Sequence, residues 1–148
     1  MILLLSLSFR NTPQKIREYF AFDNEDKKRL LKSLCSEELI DEAVVLITCN
    51  RTEIYISSGN DKSTSSIINI ILEKCEDIIG INIDNIRDYL LFYTGKSAVS
   101  HLYKVSAGLD SMLVGEDQIL GQVKDAIEFA RECDTAHLYL NTLFRDAV

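Results

Sequence analysis

The chain predicts an α+β domain in which a β-α-β-β-α-β order, the split βαβ or ferredoxin-like pattern, is followed by a C-terminal helical extension. Three observations predict it. Apolar runs of strand length occur at Met1 to Leu7 and Ala43 to Thr48. Segments with helical periodicity separate the candidate strands. After Gly95 the alternating pattern gives way to helical stripes alone, so residues 1–95 form the βαββαβ part and 96–148 the helical part.

Taken in order, Ile2 to Ser8 reads as a buried strand. It is too short to span a membrane and lacks both the basic flank and the cleavage site of a signal peptide. Pro13 stands where a helix can begin. Lys15 to Leu34 is rich in helix formers, with Asn24 as an N-cap that splits the stretch in two. Ala43 to Thr48 is nearly continuous in apolar residues, as a strand covered on both faces is. Thr52 to Ser57 alternates, setting Ile54 and Ile56 against Glu53, Tyr55 and Ser57, and predicts a half-buried strand. Cys49, Asn50 and Arg51 fall in the tight connection between these two strands, where Asn50 tolerates a left-handed backbone. Gly59 to Ser66 is a polar loop, Ile67 to Ile79 a helix ending before Gly80, and Ile86 to Tyr93 a fourth strand. Ser97 to Ala107 and Asp117 to Cys133 are amphipathic helices, the second striped by Ile119, Leu120, Val123, Ala126, Ile127 and Ala130. Leu138 to Val148 starts a third.

With 148 residues and 47% apolar content the chain can build one core. Sixteen Lys and Arg against 23 Asp and Glu leave a net charge of −7, which argues against a surface that grips nucleic-acid phosphates non-specifically. Cys35, Cys49, Cys75 and Cys133 form no CxxC pair, so neither a zinc site of the usual spacing nor a disulfide framework is expected. A cytoplasmic, reducing location with no membrane association follows as the default. Gly95-Lys96-Ser97 imitates the end of a P-loop, but Leu90 occupies the position of the required earlier glycine. No GxGxxG occurs, so nothing in the chain holds a dinucleotide by that route.

Two segments can carry chemistry. A cysteine at a strand end is usually a small core hydrophobe. A turn would expose the Cys49 sulfur, however, and Arg51 would favour its thiolate, the nucleophilic form. The Arg51 fork also matches a carboxylate, the alternative being a surface arginine paired with Glu53. His101 falls on the helix flank of Ala98 and Val105, where a lone histidine is often structural. Gly108 and Gly115 bracket a loop containing Ser111. Glu116 and Asp117 open the next helix, where acidic residues suit the macrodipole. Gln118 and Gln122, four apart, face one side and offer amide hydrogen bonds to a polar ligand.

Three blocks together resemble the glutamyl-tRNA reductase family. Ile47 to Tyr55 is similar to its TCNRxExY segment, His101 to Ser111 to its HLxxVxxGLDS block, and Gly115 to Lys124 to its GEPQILGQVK block. The likeness spans essentially the whole chain. It implies that Cys49 attacks the ester of glutamyl-tRNA to form a thioester, which NADPH then reduces to glutamate-1-semialdehyde for tetrapyrrole (porphyrin, haem) biosynthesis. It implies that Arg51 binds a glutamate carboxylate, that Thr48, Asn50, Ser111, Glu116, Asp117, Gln118 and Gln122 complete the substrate pocket, and that His101 is important for activity. The family's NADPH-binding and helical dimerisation domains are not among these residues. The resemblance therefore implies a fragment that can acylate but not reduce, a homodimer formed through the other domains, and a glutamate-1-semialdehyde aminomutase as a partner. Phe9 replaces the histidine of the family's NHxTAP block, and Asp117 replaces a proline. The competing classes are a non-catalytic ferredoxin-like ligand-binding or regulatory module and, third, a general RNA-binding module.

Overall fold

The computed structural model describes residues 1–59, 61–110 and 118–148. Four strands, β1 (Ile2–Ser8), β2 (Glu42–Thr48), β3 (Arg51–Ser57) and β4 (Leu91–Thr94), form one sheet in the order β2-β3-β1-β4. All three pairings are antiparallel. Helices α1 (Gln14–Tyr19) and α2 (Asn24–Cys35) lie between β1 and β2, and α3 (Thr64–Ile79) lies between β3 and β4. This is the ferredoxin-like arrangement. Helices α4 (Lys96–Ser106), α5 (Gln118–Glu132) and α6 (Leu138–Ala147) follow.

Register decides what faces the chemistry. Ser6 pairs with Glu53, Leu4 with Tyr55 and Ser8 with Arg51, so these side chains share one face of the sheet. Helices α4 and α6 cover that face: the Tyr55 ring meets Phe144 of α6 edge-on at 5.2 Å, and His101 of α4 reaches Glu53. The opposite face carries Leu3, Leu5, Leu7, Ile54 and Ile56, all buried, with α2 against β2 and α3 against α2. Helix α5 packs along β2, the strand at one end of the sheet. That placement shields an edge otherwise open to pairing with another chain.

Several expectations are corrected. The alternation over Thr52 to Ser57 is real, but β3 is buried along its whole length, including Glu53, Tyr55 and Ser57. Helices placed after Gly95 in the sequence return to cover its polar side. The segment expected as a strand from Ile86 begins instead with two single turns of 3-10 helix, Ile83–Asn85 and Arg87–Tyr89. Asn82 Oδ1 accepts from the Asp84 N–H at 3.0 Å, and the buried residues Ile83, Ile86 and Leu90 follow helical rather than alternating spacing. Only Leu91–Thr94 pairs as strand. The cap of α2 is Asp23, whose carboxylate accepts the Asp26 N–H at 2.8 Å, one residue before the expected Asn24. Helix α3 starts at Thr64 on a Ser63 cap, earlier than expected.

Two tertiary devices position the C-terminal helices. Glu42, buried at the start of β2, accepts the N–H groups of His137 (2.6 Å), Leu140 (3.0 Å) and Tyr139 (3.2 Å). A strand carboxylate thus satisfies the orphan donors of α6, whose own N-cap His137 makes no side-chain bond. At the end of α4, Gly108 takes φ 76°. Its N–H donates to Val105 O at 3.0 Å, and the Leu109 N–H donates to Lys104 O at 2.9 Å. This left-handed closing motif turns the chain so that Asp110 lands on Arg51.

Candidate functional site

The β2–β3 hairpin has a two-residue tip, Cys49-Asn50, with Thr48 paired to Arg51. Arg51 therefore belongs to the strand and not to the turn. Neither tip residue uses a left-handed backbone; among the described non-glycine residues only Asp134 does. The tip is held from outside instead. The Asn50 carbonyl accepts the Phe9 N–H at 2.8 Å and Arg17 Nη1 at 3.5 Å, while the Asn50 N–H donates to Thr48 Oγ1 at 3.1 Å. Thr52 Oγ1 donates to Phe20 O at 3.1 Å, tying the base of β3 to the α1–α2 connection.

This arrangement exposes Cys49, whereas Cys75 and Cys133 are buried and Cys35 is half-buried. Burial pushes the Cys75 thiol up to about 12, and burial with the nearby Glu42 charge pushes Cys35 up to about 11. Cys49 lines two small cavities. One, of about 120 Å³, is bounded by Arg17 and Glu18 of α1 together with Thr48, Arg51 and Thr52. The other, of about 30 Å³, is bounded by Thr48, Asn50, Arg51, Gln118, Ile119 and Gln122. Gln118 and Gln122, one helical turn apart on α5, both line this cavity with Cys49.

Beneath the hairpin tip lies a buried polar hub that sequence reasoning did not find. Glu53, with no solvent exposure, accepts from Ser6 Oγ at 2.7 Å and from Tyr55 OH at 2.8 Å. His101 Nε2 lies 2.5 Å from Glu53 Oε2, and Arg51 Nη1 lies 3.4 Å from the same oxygen. Burial alone would push the Glu53 carboxyl up, but the His101 hydrogen bond and charge, with Arg51 and Ser6, hold it below its ordinary value of 4.5. Burial, then the Glu53 charge and hydrogen bond, drive the Tyr55 phenol well above its ordinary value.

Arg51 is only 3% exposed. Besides Glu53, its Nη1 donates to Asp110 Oδ2 at 3.0 Å and its Nη2 donates to the Asp110 carbonyl. Arg10 Nε pairs with the other Asp110 oxygen at 2.8 Å. The pairing of Arg51 with Glu53 foreseen as a surface contact is thus internal, and Asp110 takes up both terminal nitrogens of the fork. His101 stacks on Tyr93, with ring centroids 4.9 Å apart, and lines a different cleft of about 460 Å³ with Ser6, Ser8, Arg10, Lys104 and Asp110. Among the described residues, His101 connects to the Cys49 cavities through Glu53 and Arg51 rather than facing them. Ser111, Glu116 and Asp117 lie outside the described residues. No three His, Cys, Asp or Glu side chains cluster as metal ligands would among the described residues. No described helix is long and apolar enough to cross a membrane.

A family model described as glutamyl-tRNAGlu reductase, N-terminal domain, matches residues 5–148. Glutamyl-tRNA reductase of Clostridium novyi (strain NT) is 39% identical over 146 residues, covering 98% of this chain and 34% of the relative. That of Brevibacillus brevis is 38% identical over 147 residues, covering 99% and 32%. The solved glutamyl-tRNA reductase of Methanopyrus kandleri superposes with a TM-score of 0.75 at 27% identity, over 99% of this chain and 32% of that one. The chain spans about a third of the length of the curated relatives it matches.

Proposed function

The chain belongs to the glutamyl-tRNA reductase family, as its N-terminal domain, and from that premise we propose that Cys49 accepts the glutamyl group of glutamyl-tRNA as a thioester. The observation that carries the reading is the exposed thiol at a rigidly held hairpin tip, flanked by Thr48, Asn50, Arg51, Gln118 and Gln122. In the step, the Cys49 sulfur bonds to the ester carbonyl carbon, the bond to the tRNA ribose oxygen breaks, and that oxygen leaves with a proton. A thiolate is the competent nucleophile, and a hydrogen-bonding rim of amides and a hydroxyl orients the acyl group for attack.

Arg51, Glu53 and His101 contribute position. Ser6, Tyr55 and His101 fix Glu53; Glu53 and Asp110 fix Arg51, which lines both cavities at Cys49. For Arg51 to take a substrate carboxylate, as the family resemblance implies, Asp110 must yield its place. His101 acts in this reading through Glu53, as a positioning residue. Ser111, Glu116 and Asp117 are proposed to complete the pocket.

Reduction of the thioester to glutamate-1-semialdehyde by NADPH completes the proposed reaction and feeds tetrapyrrole synthesis. No GxGxxG fingerprint occurs among these residues, so none of them is proposed to hold the dinucleotide by the Rossmann route. We place the NADPH step in the part of the longer relatives that this chain does not span. Dimerisation, and transfer of the aldehyde to an aminomutase, are proposed for the full-length assembly.

The test is the release of free tRNA from glutamyl-tRNA by the chain and by its Cys49→Ser variant. Release that requires Cys49 supports the reading. Equal rates in both, with the chain alone and when joined to the remaining two thirds of a relative, remove Cys49 as the acceptor.

A further inference from the structure

The cleft of about 460 Å³ beside His101 has no part in the acyl-transfer step, although it lies at the same end of the sheet as Cys49. Thr48, Arg51 and Ser8 stand in one row across β2, β3 and β1. Neighbouring strands are about 4.8 Å apart, so the Ser8 end of the cleft is roughly 10 Å from the residue that precedes Cys49. The Phe9 N–H, between the cleft residues Ser8 and Arg10, bonds the hairpin tip itself at the Asn50 carbonyl. A molecule whose reacting end sits at Cys49 therefore brings its adjoining part to the cleft.

The lining residues are of three kinds. Leu91 and Tyr93 of β4 pair with Ser6 and Leu4, and Leu91 is 39% exposed, which gives the cleft an apolar floor open to solvent. Ser100 and Lys104, four apart on α4, project on one side and offer a hydroxyl and an ammonium. Exposed Arg10 and Asn11 follow β1 and add a guanidinium and an amide. Arg10 and Lys104 outnumber Asp110 among the charged lining residues, so the cleft is cationic in a chain of net charge −7. A nucleotide needs this combination: an apolar surface for the base, polar partners for its edge and a cation for its phosphate. The volume falls within the about 300–1,000 Å³ of small-molecule clefts. We propose that this cleft holds the terminal adenosine nucleotide of the acyl donor, its base against Leu91 and its 5′-phosphate beside Lys104 and Arg10. The inference rests on the acyl-transfer reading of Cys49 and extends it, since the ester sits on the ribose of that nucleotide. An acidic chain then grips an RNA by its end rather than along a basic surface.

Binding is measured in Cys49→Ser, where no thioester can form, by fluorescence anisotropy over a series of salt concentrations. The probes are a 5′-labelled single-stranded RNA hexamer ending in CCA and its counterpart without the terminal adenosine. Removing the adenosine weakens binding about tenfold, the contribution of one packed base, and Leu91→Ser abolishes that preference. Lys104→Gln lowers the salt slope by about 0.7, one single-strand phosphate contact. Lys28→Gln, on α2 across the sheet, leaves the slope unchanged. Leu91 and Lys104 are both exposed, so neither change empties the core, and circular dichroism verifies each fold. Equal binding of the two RNAs by the parent overturns the proposal, as do equal losses in Lys104→Gln and Lys28→Gln. NADP+ is the other source of a nucleotide near Cys49. Its displacing the RNA at a lower concentration than unlabelled CCA does gives the cleft to the cofactor and overturns the proposal too. The two layers fail separately. An adenosine preference that persists while tRNA release proves independent of Cys49 keeps the cleft and removes the acyl-transfer reading. Cys49-dependent release with an unchanged KM in Leu91→Ser and Lys104→Gln removes the cleft alone.

Discussion

Replacing Glu53 by Gln removes one charge from the hub while keeping its shape. In the parent, Glu53 Oε2 meets Ser6, His101 and Arg51, and Oε1 accepts from Tyr55. An amide with its oxygen at the Oε2 position keeps all four contacts, because its NH2 can donate to the tyrosine oxygen. What is lost is the charge. Hydrogen bonds involving a charged group contribute about 1.5–3 kcal/mol and neutral ones about 0.5–1.5, so the Ser6 and Tyr55 contacts, whose partners carry no charge, become neutral throughout and together cost about 2–3 kcal/mol. Glu53→Ala goes further, leaving the buried Arg51 short of a partner and opening a void, at about 3–5 kcal/mol. Urea unfolding followed by circular dichroism measures both, and a loss of 2–3 kcal/mol corresponds to a fall in Tm of about 5–10 °C for a domain of this size. The pH dependence carries the sign. The folded-state value of Glu53 lies below its ordinary 4.5, so its stabilisation is fully present above that pH and is lost as pH falls below it. The gap between parent and Glu53→Gln is therefore widest near neutrality and narrows below pH 4.5. A Gln variant within about 0.5 kcal/mol of the parent, as a surface substitution would be, refutes the reasoning. So does a gap that stays flat down to acid pH.

Three further outcomes follow from the same structure. Thiol titration with mass mapping at pH 8 modifies Cys49 first, Cys35 far more slowly, and Cys75 and Cys133 only on unfolding; even modification across all four contradicts the hairpin geometry. Glu42→Ala strips the three N–H groups at the start of α6 of their acceptor and costs about 2 kcal/mol, with faster hydrogen exchange at Tyr139 and Leu140 as the local readout. Gly108→Ala places a Cβ at φ 76° and costs about 1–2 kcal/mol, and it loosens the Asp110 contact to Arg51; equal stability in chemical denaturation argues against the left-handed closing turn.

The ferredoxin-like order was legible in the sequence because local pattern and final burial agree there. β1 and β2 are apolar runs covered on both sides, and α3 ends at Gly80, where φ is 74°. The exposed thiol was legible too, since a cysteine between two strands of opposite direction must sit in a turn. The hub was not. Glu53 lies on the polar side of an alternating strand, and such a side reads as solvated unless later segments cover it. Here α4 and α6 do so from more than 40 positions further along the chain. The one available signal was Tyr55, a bulky side chain on that same side. Arg17 was missed for a related reason. Nothing in its local pattern distinguishes it from other helix-surface arginines, and only the docking of α1 against the hairpin tip brings it to Cys49. The strand expected from Ile86 failed because Ile83, Ile86 and Leu90 are spaced for turns of helix, a period that a short apolar segment does not advertise.

The most direct test of the central claim is the covalent adduct itself. The chain is mixed with glutamyl-tRNA, quenched in acid to preserve thioesters, and analysed by intact mass followed by peptide mapping. The expected result is the added mass of one glutamyl group on the peptide containing Cys49, removed by hydroxylamine and absent from Cys49→Ser. An adduct on another residue contradicts it. So does the absence of any adduct both in the chain alone and in the chain joined to the rest of a relative.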